Sequence, residues 1–267
     1  MGFQTGPASA KYLRTRLLVI GLLGAIAVIV LALQPAIPQD LRYHAFVDAR
    51  DCAGIPNFWN VISNLPFLLF GLWGLYTLRR RELPGLLPAL RPAYLIFFIG
   101  AALVALGSGY YHLQPNNATL VWDRLPMTIA FMAFLSIIIG EHIDLRLARR
   151  LLLPLIVIGV ASVLYWHITE ARGHGDLRPY AAVQFVPVIF IPLMLWLLPS
   201  RLNSTRFFWL VIVTYALAKV LEFFDGATYE QLHVISGHSL KHMVAALGIY
   251  FMVLALQRRT LGAAATR

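Results

Sequence analysis

Ser108 and His112 stand four residues apart in one apolar run, Asp123 follows shortly after, and His238 and His242 repeat the four-residue spacing far along the chain. On a helix, residues i and i+4 project from one face, so each pair aims at one point. Ionisable groups set in hydrocarbon are costly, and by default they mark a functional site. Three imidazoles, a carboxylate and a hydroxyl are a set that can converge on one metal ion. Three neutral imidazoles leave the fourth position of a tetrahedral zinc open for water, which is the arrangement of a catalytic site. A metal held so lowers the pKa of that water toward about 7 and polarises a carbonyl. Asp123 is then placed to accept the water's proton and return it to a leaving nitrogen. Ser108, one turn before His112, is placed to donate to a developing oxyanion. The chemistry expected is hydrolysis of an amide or ester presented from the bilayer.

The same residues admit plainer readings. A membrane histidine is often an interhelical hydrogen-bond partner, Ser108 can bond back to its own helix, and Asp123 beside Trp122 can cap a helix at the interface. Histidines on two helices can also be axial ligands of a b-type haem, which would leave Ser108 and Asp123 without a role. A non-catalytic zinc-containing receptor is a third reading. What favours the catalytic zinc site is the convergence of separate motifs, and convergence depends on the elements that carry them.

Composition identifies those elements as membrane helices. Of 267 residues, 59% are hydrophobic and 13% are charged, where a soluble domain carries about 25% charged residues. The one cysteine, Cys52, excludes an internal disulfide and a thiolate cluster, so a metal must be held by nitrogen and oxygen. Windows of about 20 apolar residues predict spans at 17–34, 57–78, 92–112, 121–140, 151–168, 180–198, 207–225 and 236–257. Turn and charge signals separate them, among them Gln34-Pro35, Arg79-Arg80-Arg81, Pro115-Asn116-Asn117 and Gly173-His174-Gly175-Asp176. Lys11, Arg14 and Arg16 before the first span resemble a signal-peptide start, but Leu-Ala-Leu-Gln-Pro follows it in place of a small-residue cleavage site, so the span is expected to be retained.

The formal charge of +10 is not a nucleic-acid signature, because its distribution follows the membrane. With the N-terminus inside, alternate loops collect most of the Lys and Arg on the cytoplasmic face, leaving Arg42, Arg50, Arg172 and Arg178 outside. The positive-inside rule then predicts both termini in the cytoplasm of a cell inner membrane. It also places Ser108 and His112, Asp123, and His238 and His242 at one depth near the outer face. The partners expected are the membrane and a lipid substrate, with no nucleic acid.

Four segments resemble the alkaline ceramidase family. They are Leu106-Gly107-Ser108-Gly109-Tyr110-Tyr111-His112, Trp122-Asp123-Arg124-Leu125-Pro126-Met127, Gly237-His238-Ser239-Leu240-Lys241-His242, and Phe58-Trp59-Asn60-Val61-Ile62-Ser63-Asn64-Leu65. The resemblance, to a bacterial-type member, covers roughly 57 to 257. It implies a superfamily of seven-helix membrane hydrolases shared with adiponectin receptors and Per1-like proteins. It further implies a zinc amidase cleaving the N-acyl bond of ceramide-like lipids, with His112, His238 and His242 as zinc ligands and Ser108 and Asp123 as catalytic groups. The expected fold is an all-α integral membrane protein. Its division is an N-terminal transmembrane helix and outer linker over 1–56, a seven-helix core over 57–257 and a cytoplasmic tail over 258–267. The family's calcium site, built from an acidic N-terminal segment and a glutamate before Phe-Trp-Asn, is not carried over, since that position is Asn57 and only Asp48 and Asp51 lie near it.

Further polar residues fall at the same outer depth. Lys219 and Glu222 are expected to form an intramembrane ion pair, with a ligand-orienting role for Glu222 as the alternative and Asp225 close behind. His167, Glu170, His174 and His233 are expected at the interface, and the Gly173–Pro179 loop is a candidate cover for the site entrance. His44 and His142 have no evident partner in the sequence.

Overall fold

The computed structural model of the chain describes residues 7–261 and is all-α. No strand occurs among the described residues, where β-pairing is limited to isolated bridges between Cys52 and Ile55 and between Leu202 and Leu261. The helices are α1 (Pro7–Leu33), α2 (Phe58–Ile62), α3 (Leu65–Thr77), α4 (Arg91–Leu113), α5 (Asn117–His142), α6 (Leu145–Ala171), α7 (Arg178–Leu197), α8 (Arg206–Phe223), α9 (Asp225–Leu232) and α10 (Gly237–Arg258).

Seven stretches among the described residues are long and apolar enough to cross a membrane, and they match seven of the eight expected spans. The remaining expected span, 207–225, corresponds to α8, which passes the same test only together with α9, bent from it by 79°. The expected span 57–78 is interrupted at Ser63-Asn64, where α2 ends and α3 begins. Pro66 accounts for the break: it is tolerated at the start of a helix, as in α3, but not inside a continuous one. The residues 262–267 of the expected tail lie outside the described residues.

Helices α3, α4, α5, α7, α8 and α10 form a ring, with α6 backing α5 and α7, and the joint between α7 and α8 is the lightest. Large apolar side chains such as Tyr94, Phe98, Ile137, Phe208 and Met252 are fully buried between them. Helix α1 leans on α7, with Phe190 seated over Gly24 and Arg16 Nη1 donating to the Leu197 carbonyl at 2.7 Å. Most of α1 is otherwise exposed and apolar, as a lipid-facing helix must be.

A second polar centre lies at the end of α5 and α10 opposite the histidines. Arg259, one of the basic residues expected in a solvated tail, is fully buried against Glu141. Arg259 Nη1 donates to Glu141 Oε1 at 3.1 Å, and Nη2 bonds Oε2. Tyr94 donates to the same carboxylate at 3.2 Å, Nε donates to the Asn203 carbonyl at 3.1 Å, and the guanidinium lies over Phe208. This pair joins α4, α5, α8 and the chain after α10 into one knot. Removing one partner of a buried pair strands the other charge, at a cost of about 3–5 kcal/mol. Arg259→Ala is therefore expected to lower the unfolding temperature in detergent strongly, while the apolar double replacement Glu141→Leu with Arg259→Met is expected to be the milder change, as read by thermal unfolding.

Candidate metal centre

Helix α4 delivers His112 in its last turn, and α10 delivers His238 and His242 in its first two turns. The three ring centroids are 4.9–5.0 Å apart, and one nitrogen from each ring lies within 4.8 Å of the others. All three rings are buried. His112 Nδ1 and His238 Nε2 are buried without a hydrogen-bond partner, which is unfavourable unless something else satisfies them. Three neutral nitrogen donors at this spacing, two of them otherwise unpartnered, fit a metal ion. The same closeness leaves no slot for a porphyrin between any two rings, which disfavours the haem reading.

Ser108 and Asp123 join the histidines. Ser108 lies beside the Asp123 carboxylate, and both line one cavity with the three ligand candidates. The cap reading of Asp123 does not hold. The helix cap of α5 is Asn116, with Thr119 completing a capping box, so Asp123 sits in the second turn with its carboxylate turned to the cavity.

Glycine makes the approach possible in two places. A Cβ at Gly107 would lie 2.0 Å from the Trp122 carbonyl oxygen, so only glycine lets α4 come close enough for Ser108 to reach Asp123. A Cβ at Gly237 would lie 2.2 Å from the Leu221 carbonyl oxygen, so the start of α10 nests against the end of α8. Ser236 caps α10, and the His238 amide donates to Asp225 at 2.7 Å, which fixes the helix start that carries two of the imidazoles.

The broken helix α2–α3 supplies the layer behind the ligands. Ser63 Oγ lies 2.8 Å from His242 Nδ1, leaving Nε2 of that ring to face its neighbours. Ser239 donates to Asn60 Oδ1 at 2.7 Å, and Asn57 donates to the His112 carbonyl at 2.9 Å. Ser63 gave no spacing signal of its own, although the segment that contains it was among the resemblances.

A strap formed by residues 34–57 covers the histidines. Phe46 places its ring centroid 4.7 Å from those of both His112 and His238. His44, without an evident partner in the sequence, bridges Tyr111 and Asn117 at 2.9 and 2.8 Å, while His142 lies elsewhere, 3.2 Å from the Leu198 carbonyl. Glu170, expected at the interface, accepts from the Gln39 amide and from Trp166, each at 3.1 Å. The Gly173–Pro179 loop contributes indirectly: Leu177 lines the cavity and donates its amide to the Ile37 carbonyl, so the loop holds the strap that forms the cover.

Asp48 engages Arg50 through both carboxylate oxygens, each at 2.7 Å, and Arg50 also donates to the Val234 carbonyl at 2.6 Å. The Arg50 guanidinium holds the Asp48 carboxyl below its ordinary value. With Asn57 donating to His112 and Asp51 accepting from Gly54, the donor set here does not suit calcium.

Glu222 pairs with Lys219 as expected, and also with Lys241 on α10 at 2.5 Å. Tyr43 of the strap lies near the same carboxylate. The hydrogen bonds of Glu222 among the described residues go to these lysines, with none to His112, His238 or His242.

The cavity measures about 430 Å³ and is mostly apolar, running from the histidines past Met127, Phe131 and Phe134 toward Ile191 and Ile249. A buried trio of imidazoles lies beside Ser108 and Asp123 at the polar end of an apolar cavity in a helical membrane bundle. A family model described as Ceramidase matches residues 52–266, most of the chain, and the chain belongs to the ceramidase family, whose members hydrolyse an amide bond. No curated protein matches the chain.

Two predictions follow from these supports. Ser63→Ala is expected to weaken metal binding by roughly 10- to 100-fold, as loss of a ligand-orienting partner does, measured by competition with a chromogenic chelator. Asp176 accepts from Arg178, whose Nη1 reaches the carbonyls of Ala32 and Gln34 at the root of the strap. Chiefly through that hydrogen bond, Arg178 lowers the Asp176 carboxyl from 3.8 to about 2. A lowered folded value stabilises above the unfolded value and is lost as pH falls through the folded one. Hydrogen-exchange protection in the strap, taken relative to the intrinsic rate at each pH, is therefore expected to hold above pH 4 and to fall as pH drops toward 2, with Asp176→Asn showing the reduced protection already at neutral pH.

Proposed function

We propose that this chain is a zinc-dependent amidohydrolase that cleaves the N-acyl amide bond of ceramide-like lipids, releasing a fatty acid and a sphingoid base. The observation that carries the reading is the gathering of three buried imidazoles and the Ser108–Asp123 pair at one end of an apolar cavity. Membership of the ceramidase family supports the substrate class.

In this reading His112, His238 and His242 are the zinc ligands. Zinc bound there would supply Lewis acidity toward water and toward the amide carbonyl. Asp123 accepts the proton of the attacking water and passes it to the amide nitrogen, so the amine departs neutral and the acyl half gains the hydroxyl. Ser108, beside Asp123, turns its hydroxyl to the oxyanion that forms on the former carbonyl oxygen. Phe46 and the strap keep bulk water from the histidines, which strengthens each electrostatic contact inside. The acyl chain occupies the apolar length of the cavity. Its entry from the bilayer is supported by the light joint between α7 and α8, bridged by Gln184 donating to Tyr215 at 3.0 Å.

The division into a core over 57–257 with a helix and linker before it and a short tail after it belongs to the same proposal. So does the orientation, with both termini cytoplasmic, the site toward the outer face, and the protein in a cell inner membrane; the loop distribution of Lys and Arg supports it.

Three variants separate the roles. His238→Ala is expected to lose metal and activity together, read by elemental analysis and by release of fatty acid from an N-acyl sphingosine. Ser108→Ala and Asp123→Asn are expected to keep the metal, with turnover lower by roughly 10²- to 10⁴-fold for Asp123→Asn. Full zinc content in His238→Ala would refute the ligand assignment.

A further inference from the structure

Arg124 is a buried cation that the hydrolytic chemistry does not use. It is 5% exposed, it lines the cavity one residue after Asp123, and none of the ion pairs among the described residues includes it. Its guanidinium lies over Trp166 at 4.2 Å and over Tyr180 at 4.6 Å, so the planar group is held in a fixed pose by aromatic faces. Nη2 donates to Gln39 Oε1 at 2.6 Å, while Nη1 is buried with no partner. A charged donor left unsatisfied in an apolar surround is costly, and a membrane protein retains such a group where a ligand completes it.

The charges around it have an excess of one sign. Arg124, Lys219 and Lys241 line the cavity against two carboxylates, Asp123 and Glu222. Glu222 is shared by both lysines, so Arg124 is not neutralised by that cluster. A metal at the histidines would add further positive charge. The polar end of the cavity is thus suited to an anion.

We propose that Arg124 Nη1 is the docking point for an anionic oxygen of the lipid bound in this cavity. Two sources share that chemistry: an acidic group on the amine half of an N-acyl lipid, and the carboxylate of the released fatty acid. The proposal deepens the hydrolase reading by naming what the site recognises, and it rests on that reading only where turnover is measured.

Binding is tested first, because it needs no catalysis. Decyl phosphate and decanoate are titrated into the purified zinc-loaded protein, its Arg124→Gln variant and its Arg124→Lys variant, with zinc content and thermal unfolding checking each fold. Loss of a charge-assisted bond is expected to weaken binding of at least one anion by roughly 10- to 100-fold in Arg124→Gln. Arg124→Lys, which keeps the charge but lacks the second branch, is expected to fall between, and it carries the test alone if the glutamine variant does not fold. Equal anion affinity in the wild type and the folded variants would place the anion on the metal and overturn the proposal.

Turnover then separates the sources, with an N-acyl amino acid and an N-acyl sphingosine in competition. A fall in the acidic-to-neutral ratio of kcat/KM in Arg124→Gln assigns the headgroup. An unchanged ratio with weaker inhibition by decanoate assigns the product. Arg124-dependent anion binding in a wild type that hydrolyses neither lipid would sink the hydrolase reading and leave this one standing.

Discussion

Polar groups at membrane depth find no water to satisfy them, so every one in this bundle must be answered by another part of the chain or by a ligand. That constraint organises the structure around three imidazoles. Their mutual approach places nitrogen donors side by side in an apolar interior, a position that is stable only if each ring is oriented and the facing nitrogens are occupied. The residues behind them supply the orientation: Ser63 beside His242, Asn57 on the His112 carbonyl, Asp225 on the His238 amide. Each of these bonds fixes a helix end or a ring, and together they leave the imidazoles little freedom to turn away from one another.

The break in the α2–α3 span has meaning in this light. An unbroken helix over 57–78 would satisfy its own backbone and present side chains at fixed 100° steps. Stopping at Ser63-Asn64 and restarting before Pro66 lets Asn57, Asn60 and Ser63 reach three targets on α4 and α10. The same economy holds at Gly107 and Gly237, where the missing Cβ lets one helix meet a neighbour's carbonyl. Precision at the site therefore comes from irregular places in an otherwise regular bundle.

The helices and the histidine trio were legible in the sequence because both are written in local patterns. An apolar window reports a span, and a four-residue spacing reports a shared face. The placing of Asp123 beside the histidines was legible through charge bias, which assigned the start of its helix and the histidine pairs to one side. The strap was not legible. Residues 34–57 carry no periodicity, and their course is set by bonds to distant elements, such as Gln39 to Glu170 and to Arg124, and His44 to Tyr111 and Asn117. The second lysine on Glu222 was hidden for the same reason, since Lys241 lies on another helix. The burial of Arg259 was hidden as well, because its partner Glu141 lies far away in the chain and draws it into the core.

The two buried cations show how one residue type can serve opposite ends. Each nitrogen of Arg259 has a partner, with both carboxylate oxygens of Glu141 and the Asn203 carbonyl accepting from it and the face of Phe208 beneath it. A group held so contributes rigidity. Arg124 is answered on one branch and on both faces, by Gln39, Trp166 and Tyr180, and left open on the other branch. The contrast lies in what surrounds each guanidinium, since the first is packed among side chains and the second belongs to a residue that lines a cavity of about 430 Å³. In a medium where desolvation is costly, that difference in satisfaction distinguishes a structural charge from a recognising one.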